Sequence, residues 1–491
     1  MLQLLTRLSV LVGVIGFVSK SAAFSLLGPF AISGGTVWQT PRIGYQLPSP
    51  IGGDIGGPMN AAAGEEYRWN SKIVVYAYDA AFFDFFGARG AQEVEKAIKI
   101  LNDLPSASVL KVDDYPMTAE RVHPRASALG LIDLKSLALK LVVEQMGLAS
   151  PNRWIYTIRN RNLPTPNRFP VNYNFIIRNY EPVTVAGNIV VAQESPYING
   201  RLWDLFNVFD FDTPPWSYTA QFTVDPNDQG RFDPVSSIFD ASFGAAVPEF
   251  TAGTFYTGLT RDDAGALKFL YQAANKQFEA AIPGSTNNIG FVGGGGGGSP
   301  WSIPPNTNIV ATNVNGGVVG GLFDPAVRQG VDKVTFVRAQ YDSLLGQVLD
   351  PVVVSYNETI EVSGVPRSQN VQRLVTVPDI LFTAQDLQGA DDPGGIASPP
   401  AVRSNTSLWN KDASTPNAGP GVILPTATIF FNNVGFITPV TVPGPISSQQ
   451  ILGTLPWYVL GAFDGTTNEP VLFSPGGNLT VFQLEQLRLG R

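Results

Sequence analysis

The chain has 491 residues, 44% of them hydrophobic and 15% charged. That is enough apolar material for two or three domains with real cores, and it excludes a disordered chain. Formal net charge is −8, and Lys and Arg form no cluster and no basic helix face, so a phosphate backbone has little to bind and nucleic acid is not expected as a partner. One histidine and no cysteine exclude an ordinary catalytic zinc site, which takes two or three His or Cys ligands, and any cysteine nucleophile.

Residues 1–23 read as a secretory signal. Arg7 ends a short n-region, residues 8–18 are apolar, and Ser21-Ala22-Ala23 supplies small residues for cleavage. An apolar run this short falls below the roughly 20 residues needed to span a bilayer. No later stretch is long enough to span a membrane, so an exported chain with no membrane span after cleavage is expected. Without disulfides it rests on packing, aided at most by a metal ion.

Residues 24–70 are rich in Gly and Pro and read as an irregular segment laid over the first domain. Ile73-Val-Val-Tyr-Ala-Tyr78 is a strand. Phe82, Phe83, Phe85 and Phe86 form an aromatic clump suited to a core. A helix is expected over 90–104, with Val94, Ala97, Ile98 and Leu101 on one face and Pro105 as its stop. The best-marked helix follows Asp133. Leu134, Leu137, Ala138, Leu141 and Val142 recur at the 3.6-residue period, and Leu131, Leu139, Val143 and Met146 widen that face. Only Lys135, Lys140 and Glu144 are left for water, so this helix is expected at the centre of its domain. Gly147 and Pro151 end it.

Strands are expected at 154–158, 173–177 and 189–192. Thr260 then caps a third helix, with Asp262 and Asp263 in the first turn where the helix dipole favours anions. Ala264, Leu267, Leu270, Tyr271 and Ala274 form its apolar face. The six glycines at 293–298 are not followed by a helix and read as a linker rather than a phosphate cradle. Short strands at 331–337, 352–356, 359–362, 374–377 and 428–431 suggest a sandwich. Residues 389–421 read as a long polar loop, and 479–489 as a closing helix. The expected architecture is an α+β domain at 24–285, a Gly/Pro-rich linker at 286–308, and a mostly β, sandwich-like domain at 309–491.

Chemistry is constrained more by what is missing than by any motif. His123 sits in Glu120-Arg-Val-His-Pro124 with no Gly-x-Ser-x-Gly to pair with it, and is expected in a loop or on the surface. Ser108-Val-Leu-Lys111 matches the Ser-x-x-Lys of serine β-lactamases, but the companion Ser-Asp-Asn and Lys-Thr-Gly are absent. Glycoside hydrolysis needs only two acids facing a cleft. Glu65, Glu66, Glu144 and Glu249 are candidates by residue type. Calcium is the most plausible ion, with Asp210, Asp212, Asp225, Asp228 and Asp233 as candidate ligands and ordinary Asx-turns as the alternative. Asn357, Asn405 and Asn478 open glycosylation sequons, meaningful in a eukaryotic secretory pathway. Trp203, Trp216, Trp409 and Trp457 are the aromatics that could line a glycan groove.

Two resemblances rest on particular phrases. Residues 23–30, Asp54-Ile-Gly-Gly-Pro-Met59, Glu66-Tyr-Arg-Trp-Asn70, Val143-Glu-Gln-Met-Gly-Leu148, Arg178-Asn-Tyr-Glu-Pro-Val-Thr184, Tyr341-Asp-Ser-Leu-Leu-Gly346 and Gly461-Ala-Phe-Asp-Gly-Thr-Thr-Asn468 resemble an uncharacterised family of large secreted bacterial proteins. This resemblance implies export and a shared architecture but no activity. The strand at 73–78, the helix at 90–104, Val142-Val-Glu-Gln-Met-Gly-Leu148 and Leu259-Thr-Arg-Asp-Asp-Ala-Gly-Ala-Leu-Lys-Phe-Leu-Tyr271 resemble a matrixin-type metalloprotease scaffold. That resemblance implies Glu144 at the general base, with every zinc ligand missing. The expected function is an exported, non-catalytic cell-surface or extracellular protein with a structural or interaction role. Its expected partners are copies of itself, other surface proteins or glycans. The alternative is an extracellular carboxylate-dependent glycoside hydrolase or a glycan-binding protein.

Overall fold

The computed structural model describes residues 24–27, 30–32, 35–37, 66–151, 155–162, 172–212, 215–225, 235, 252–287, 322, 326–342, 348–362, 364–385, 401–408, 421–432, 459–474 and 480–489. The expected signal at 1–23 and the glycine run at 293–298 lie outside them. The architecture is mixed α/β, with more strand than helix and several sheets.

Its main elements in chain order are β1 (Tyr67–Arg68), β2 (Ile73–Tyr78), α1 (Ala80–Asn102), α2 (Pro124–Leu129), β3 (Leu131–Asp133), α3 (Leu134–Gln145) and β4 (Thr254–Tyr256). These are followed by α4 (Arg261–Tyr271), β5 (Lys276–Glu279), β6 (Ser285–Asn287), β7 (Ala326–Gln329), β8 (Thr335–Arg338), β9 (Val352–Val362) and β10 (Val365–Val375). The last are β11 (Ile380–Gln385), β12 (Ala401–Leu408), β13 (Gly421–Asn432), β14 (Val459–Ala462) and α5 (Val481–Arg488).

The central sheet runs β8-β2-β11-β13-β12, with β1 also paired to β13. All its pairings are parallel except that of β12, which runs antiparallel along β13. A second, antiparallel sheet has the order β5-β7-β9-β10-β6. The period-2 alternation of β2 builds the layers. Val74, Tyr76 and Tyr78 join the main core with Phe82, Val94, Leu137 and Leu141 of α1 and α3. Val75 and Ala77 point to the opposite face and pack on Val354 and Val375 of the second sheet. Helices thus cover one face of the central sheet, and the β9–β10 hairpin covers part of the other.

Strands from both sides of the 286–308 stretch therefore share one sheet, because β2 lies between β8 and β11. Residues 401–408, expected within a loop, form the antiparallel strand β12. Its polar sequence suits an edge position, where β13 supplies the backbone partners. The first helix starts well before residue 90. Asp79 caps it by accepting from the Phe82 amide at 2.8 Å, and the aromatic clump forms its first turns up to a kink at Gly87. Val94, Ala97, Ile98 and Leu101 are buried as expected.

Helix α3 is central but has no wet face. Lys140 is 3% and Glu144 1% exposed, and the two form an ion pair one turn apart. Lys135 reaches the Tyr256 carbonyl at 2.6 Å. Thr260 and Asp263 make the reciprocal capping box of α4. Asp262 accepts from the Asn199 amide at 2.7 Å and Asp263 from the Val235 amide at 2.9 Å. The start of α4 thereby pins two distant segments as well as itself. Between α3 and α4 the chain makes two-stranded ribbons: Thr157–Asn162 with Asn172–Ile176, Tyr180–Val185 with Asn188–Glu194, and Leu205–Asp212 with Pro215–Phe222.

Gly147 ends α3 at φ +104°, and a Cβ there would lie 2.1 Å from the Tyr67 carbonyl oxygen. Both the left-handed backbone and the close approach require glycine. Gly147→Ala is expected to destabilise the chain by about 2–4 kcal/mol in urea denaturation, whereas a surface change without such features stays within about 0.5 kcal/mol. Gly258→Ala, whose Cβ meets nothing within 4 Å, is the matching control.

Candidate functional site

The densest set of buried ionisable groups lies where β1 meets the second sheet. The extended run Glu66-Tyr67-Arg68-Trp69-Asn70 sorts its side chains by alternation. Tyr67 and Trp69 enter the apolar core, and the Trp69 indole donates to the Gln145 carbonyl at 2.7 Å. Glu66, Arg68 and Asn70 turn the other way, toward Asn275, Gln277, Glu279 and the Ala280 carbonyl.

Arg68 is fully buried and pairs with Glu279 at 2.7 Å. Its guanidinium also donates to the carbonyls of Leu270 and Asn275, both at 3.0 Å, and of Arg328 at 3.2 Å. Arg328 pairs with Glu358 at 3.2 Å and donates to the Glu279 carbonyl, while Gln369 donates to Glu358 at 2.5 Å. Farther along, Asp379 accepts from the Val75 amide at 2.8 Å and pairs with Arg373. Glu66 accepts from Gln277 at 2.7 Å and Asn275 at 3.1 Å. Burial pushes its carboxyl up to about 7 against smaller opposing contributions, among them the Arg68 charge. This seam is buried. Its groups bind one another across the five strands β1, β5, β7, β9 and β10 and the end of α4.

An open cleft of about 420 Å³ lies elsewhere, between the end of α1 and the loop before α4. Ile100, Leu104, Tyr115 and Leu259 line it, with Asp103 as its carboxylate. Asp103 is exposed and pairs with Lys99 at 2.5 Å. A single carboxylate does not make the acid pair that glycoside hydrolysis requires.

The structure redistributes the sequence candidates. His123 is buried rather than on the surface. Its Nδ1 accepts from the Ala126 amide at 3.1 Å, which caps α2, and its ring lies 5.7 Å from that of Phe463. Ser108 donates to Asp332 at 3.1 Å. Glu66 belongs to the seam and Glu144 to the α3 ion pair, while Glu65 and Glu249 lie outside the described residues. Asp210 and Asp212 lie in the 205–212 strand, in register with Ser217 and Pro215. Asp225 is exposed, and Asp228 and Asp233 lie outside the described residues. Among the described residues no group of three or more His, Cys, Asp or Glu could hold a metal. Trp203 is 8% exposed and packs with Ile155 and Ile198, so it is no exposed glycan platform. Trp216 stands opposite Phe211 in the ribbon, and Trp409 and Trp457 lie outside the described residues.

Arg68, Glu279, Arg328 and Glu358 were not among the sequence candidates. A signal for them was present in the polar-aromatic alternation of 66–70 and in the polar alternation of Asn275, Gln277 and Glu279. No family model, no curated protein and no solved structure matches the chain.

The α3 ion pair gives a direct test of how buried charge is held here. Lys140→Met leaves Glu144 buried without its cation and is expected to cost about 3–5 kcal/mol in urea denaturation. The double change Lys140→Met, Glu144→Leu is expected to recover most of that loss.

Proposed function

We propose that the chain is an exported, non-catalytic protein of the cell surface or extracellular space, with a structural or interaction role. The observation that supports this reading is the use made of its buried acids. Glu66, Glu279, Glu358, Asp262, Asp263 and Asp379 each hold together segments far apart in sequence. They act as internal staples rather than as a pair facing a cleft. Asp133 is likewise used for structure, though locally. It is fully buried and caps α3 through the Ser136 amide and hydroxyl, at 3.0 and 2.5 Å.

The remaining expectations take their place within this proposal. The packing of β9 and β10 on the back of the central sheet supports a sandwich-like C-terminal region. The outer face of that hairpin carries exposed Ser355 and Asn357, with Asn370 donating to Asn357 at 3.0 Å. With the exposed apolar pair Val353 and Leu374 beside these groups, it is a mixed polar and apolar face suited to contact with copies of the chain, other surface proteins or glycans. Glu144, the residue that matches the matrixin general base, is buried against Lys140, which supports a scaffold without that chemistry.

Light scattering on purified residues 24–491, first with calcium and then with EDTA, tests the reading. The expected result is a species larger than a monomer, with no turnover of polysaccharide or peptide substrates. Dissociation by EDTA that added calcium reverses implies a calcium-held assembly and promotes Asp210, Asp212, Asp225, Asp228 and Asp233 as the ligands to substitute next. A monomer that hydrolyses polysaccharide, and loses that activity on substitution of a single acid, overturns the reading.

A further inference from the structure

We infer that the seam beneath the second sheet is closed by a proton on Glu66, which makes the docking of that sheet a pH-dependent latch. The inference concerns the fold's own response to pH and is independent of the proposed role.

The geometry carries it in two ways. First, charges around Glu66 balance without it. The ionisable groups facing this part of the seam are Arg68 on β1, Glu279 on β5, Arg328 on β7, Glu358 and Tyr356 on β9 and Tyr271 at the end of α4. Arg68 with Glu279 and Arg328 with Glu358 already form two closed pairs, and Arg373 with Asp379 forms a third beyond them. An ionised Glu66 adds one uncompensated negative charge in a site 1% exposed.

Second, acceptors outnumber donors. Glu66 Oε1 receives both amide donors, and Oε2 receives none. Gln277 Oε1, Glu279 Oε2 and Asn70 Oδ1 are also buried without a donor. A proton on Glu66 removes the surplus charge and supplies a donor to a neighbouring oxygen. The Gln277 amide, whose Nε2 donates to Glu66 Oε1 at 2.7 Å, offers its oxygen to that proton when the amide is turned over.

The sign follows from linkage. Burial raises this carboxyl from 4.5 to about 7. The folded chain therefore holds a proton that the unfolded chain has released, so the stabilisation is complete below about 4.5 and is lost as pH rises through about 7. The sheet is bound most tightly in mild acid and has loosened once the pH passes about 7.

The test compares unfolding of the full chain and of E66Q, whose amide is neutral and carries donors. Between pH 5 and 8.5 the unfolding equilibrium constant of the wild type is expected to rise about 75-fold more than that of E66Q. Asp133, which burial raises to about 6, and Asp379, which burial also raises, contribute to both chains and cancel. Parallel pH profiles for the two chains overturn the inference. If E66Q does not fold, hydrogen exchange on the wild type decides between pH 6.5 and 8.5, after correction for intrinsic rates. The latch requires β5 and β7 to lose more protection than β2, and equal loss overturns it.

Discussion

The fold depends on the buried guanidinium of Arg68. Arginine carries five donors in a rigid planar fork and stays charged. Burying it without partners is prohibitive, so its position is fixed by the acceptors around it. Here those acceptors come from Glu279 on β5, from the carbonyl of Arg328 on β7, and from the carbonyls of Leu270 and Asn275 at the end of α4. One side chain thus sets the relative placement of α4, the second sheet and the short strand that feeds the central sheet. Such a pair adds little net stability over an apolar replacement, and breaking it leaves a buried charge exposed to nothing. Its contribution is to specify one arrangement among many that hydrophobic burial alone would allow.

That specification matters because the fold is assembled from distant parts. Arg68 and Arg328 meet across 260 residues, and Thr335 pairs with Ile73 inside the central sheet. Closing such separations carries an entropy cost before any contact rewards it, so the topology belongs to the slowly folding class. Apolar alternation along β2 tells which side chains face the helices and which face the second sheet. It does not say which strand lies alongside. Asp379 helps resolve this, since its carboxylate receives the Val75 amide of β2 while holding Arg373 of β10. A polar side chain thereby fixes register at the point where both faces of the sheet are covered.

The same contrast separates what the residues disclosed from what they concealed. The helix after Asp133 was legible because its apolar positions follow one period over three turns, and the cap and capping box of α4 were legible from Thr260 and Asp263. The early start of α1 was hidden by Gly87, where the kink breaks the period that Phe82 and Phe86 would otherwise have continued. Lys140 and Glu144 read as a solvated stripe because spacing alone cannot distinguish a wet i,i+4 pair from a buried one. Strand pairing across the 286–308 stretch was illegible, since no local pattern encodes a partner hundreds of residues away. The seam lay between these cases. Its alternation was visible at 66–70 and at 275–279, but its meaning appeared only when the two runs were placed face to face.

Placing charge inside changes what remains outside. Only 15% of the residues are charged, and several of them are committed to Arg68–Glu279, Arg328–Glu358, Arg373–Asp379 and Lys140–Glu144. The outer surface of the β9–β10 hairpin is low in charge, with Ser355, Asn357 and Asn370 bonded to one another across the strands beside the exposed apolar pair Val353 and Leu374. A surface of low charge density resists close approach of a second chain less than a strongly charged one does, because long-range repulsion is weak. Amide and hydroxyl groups on a rigid sheet can exchange water for partner groups with little loss of conformational entropy, since the strands already hold them in place. The use of charge as internal staple and the low charge of the outer hairpin are therefore two sides of one composition, and together they give the proposed contact role its physical basis.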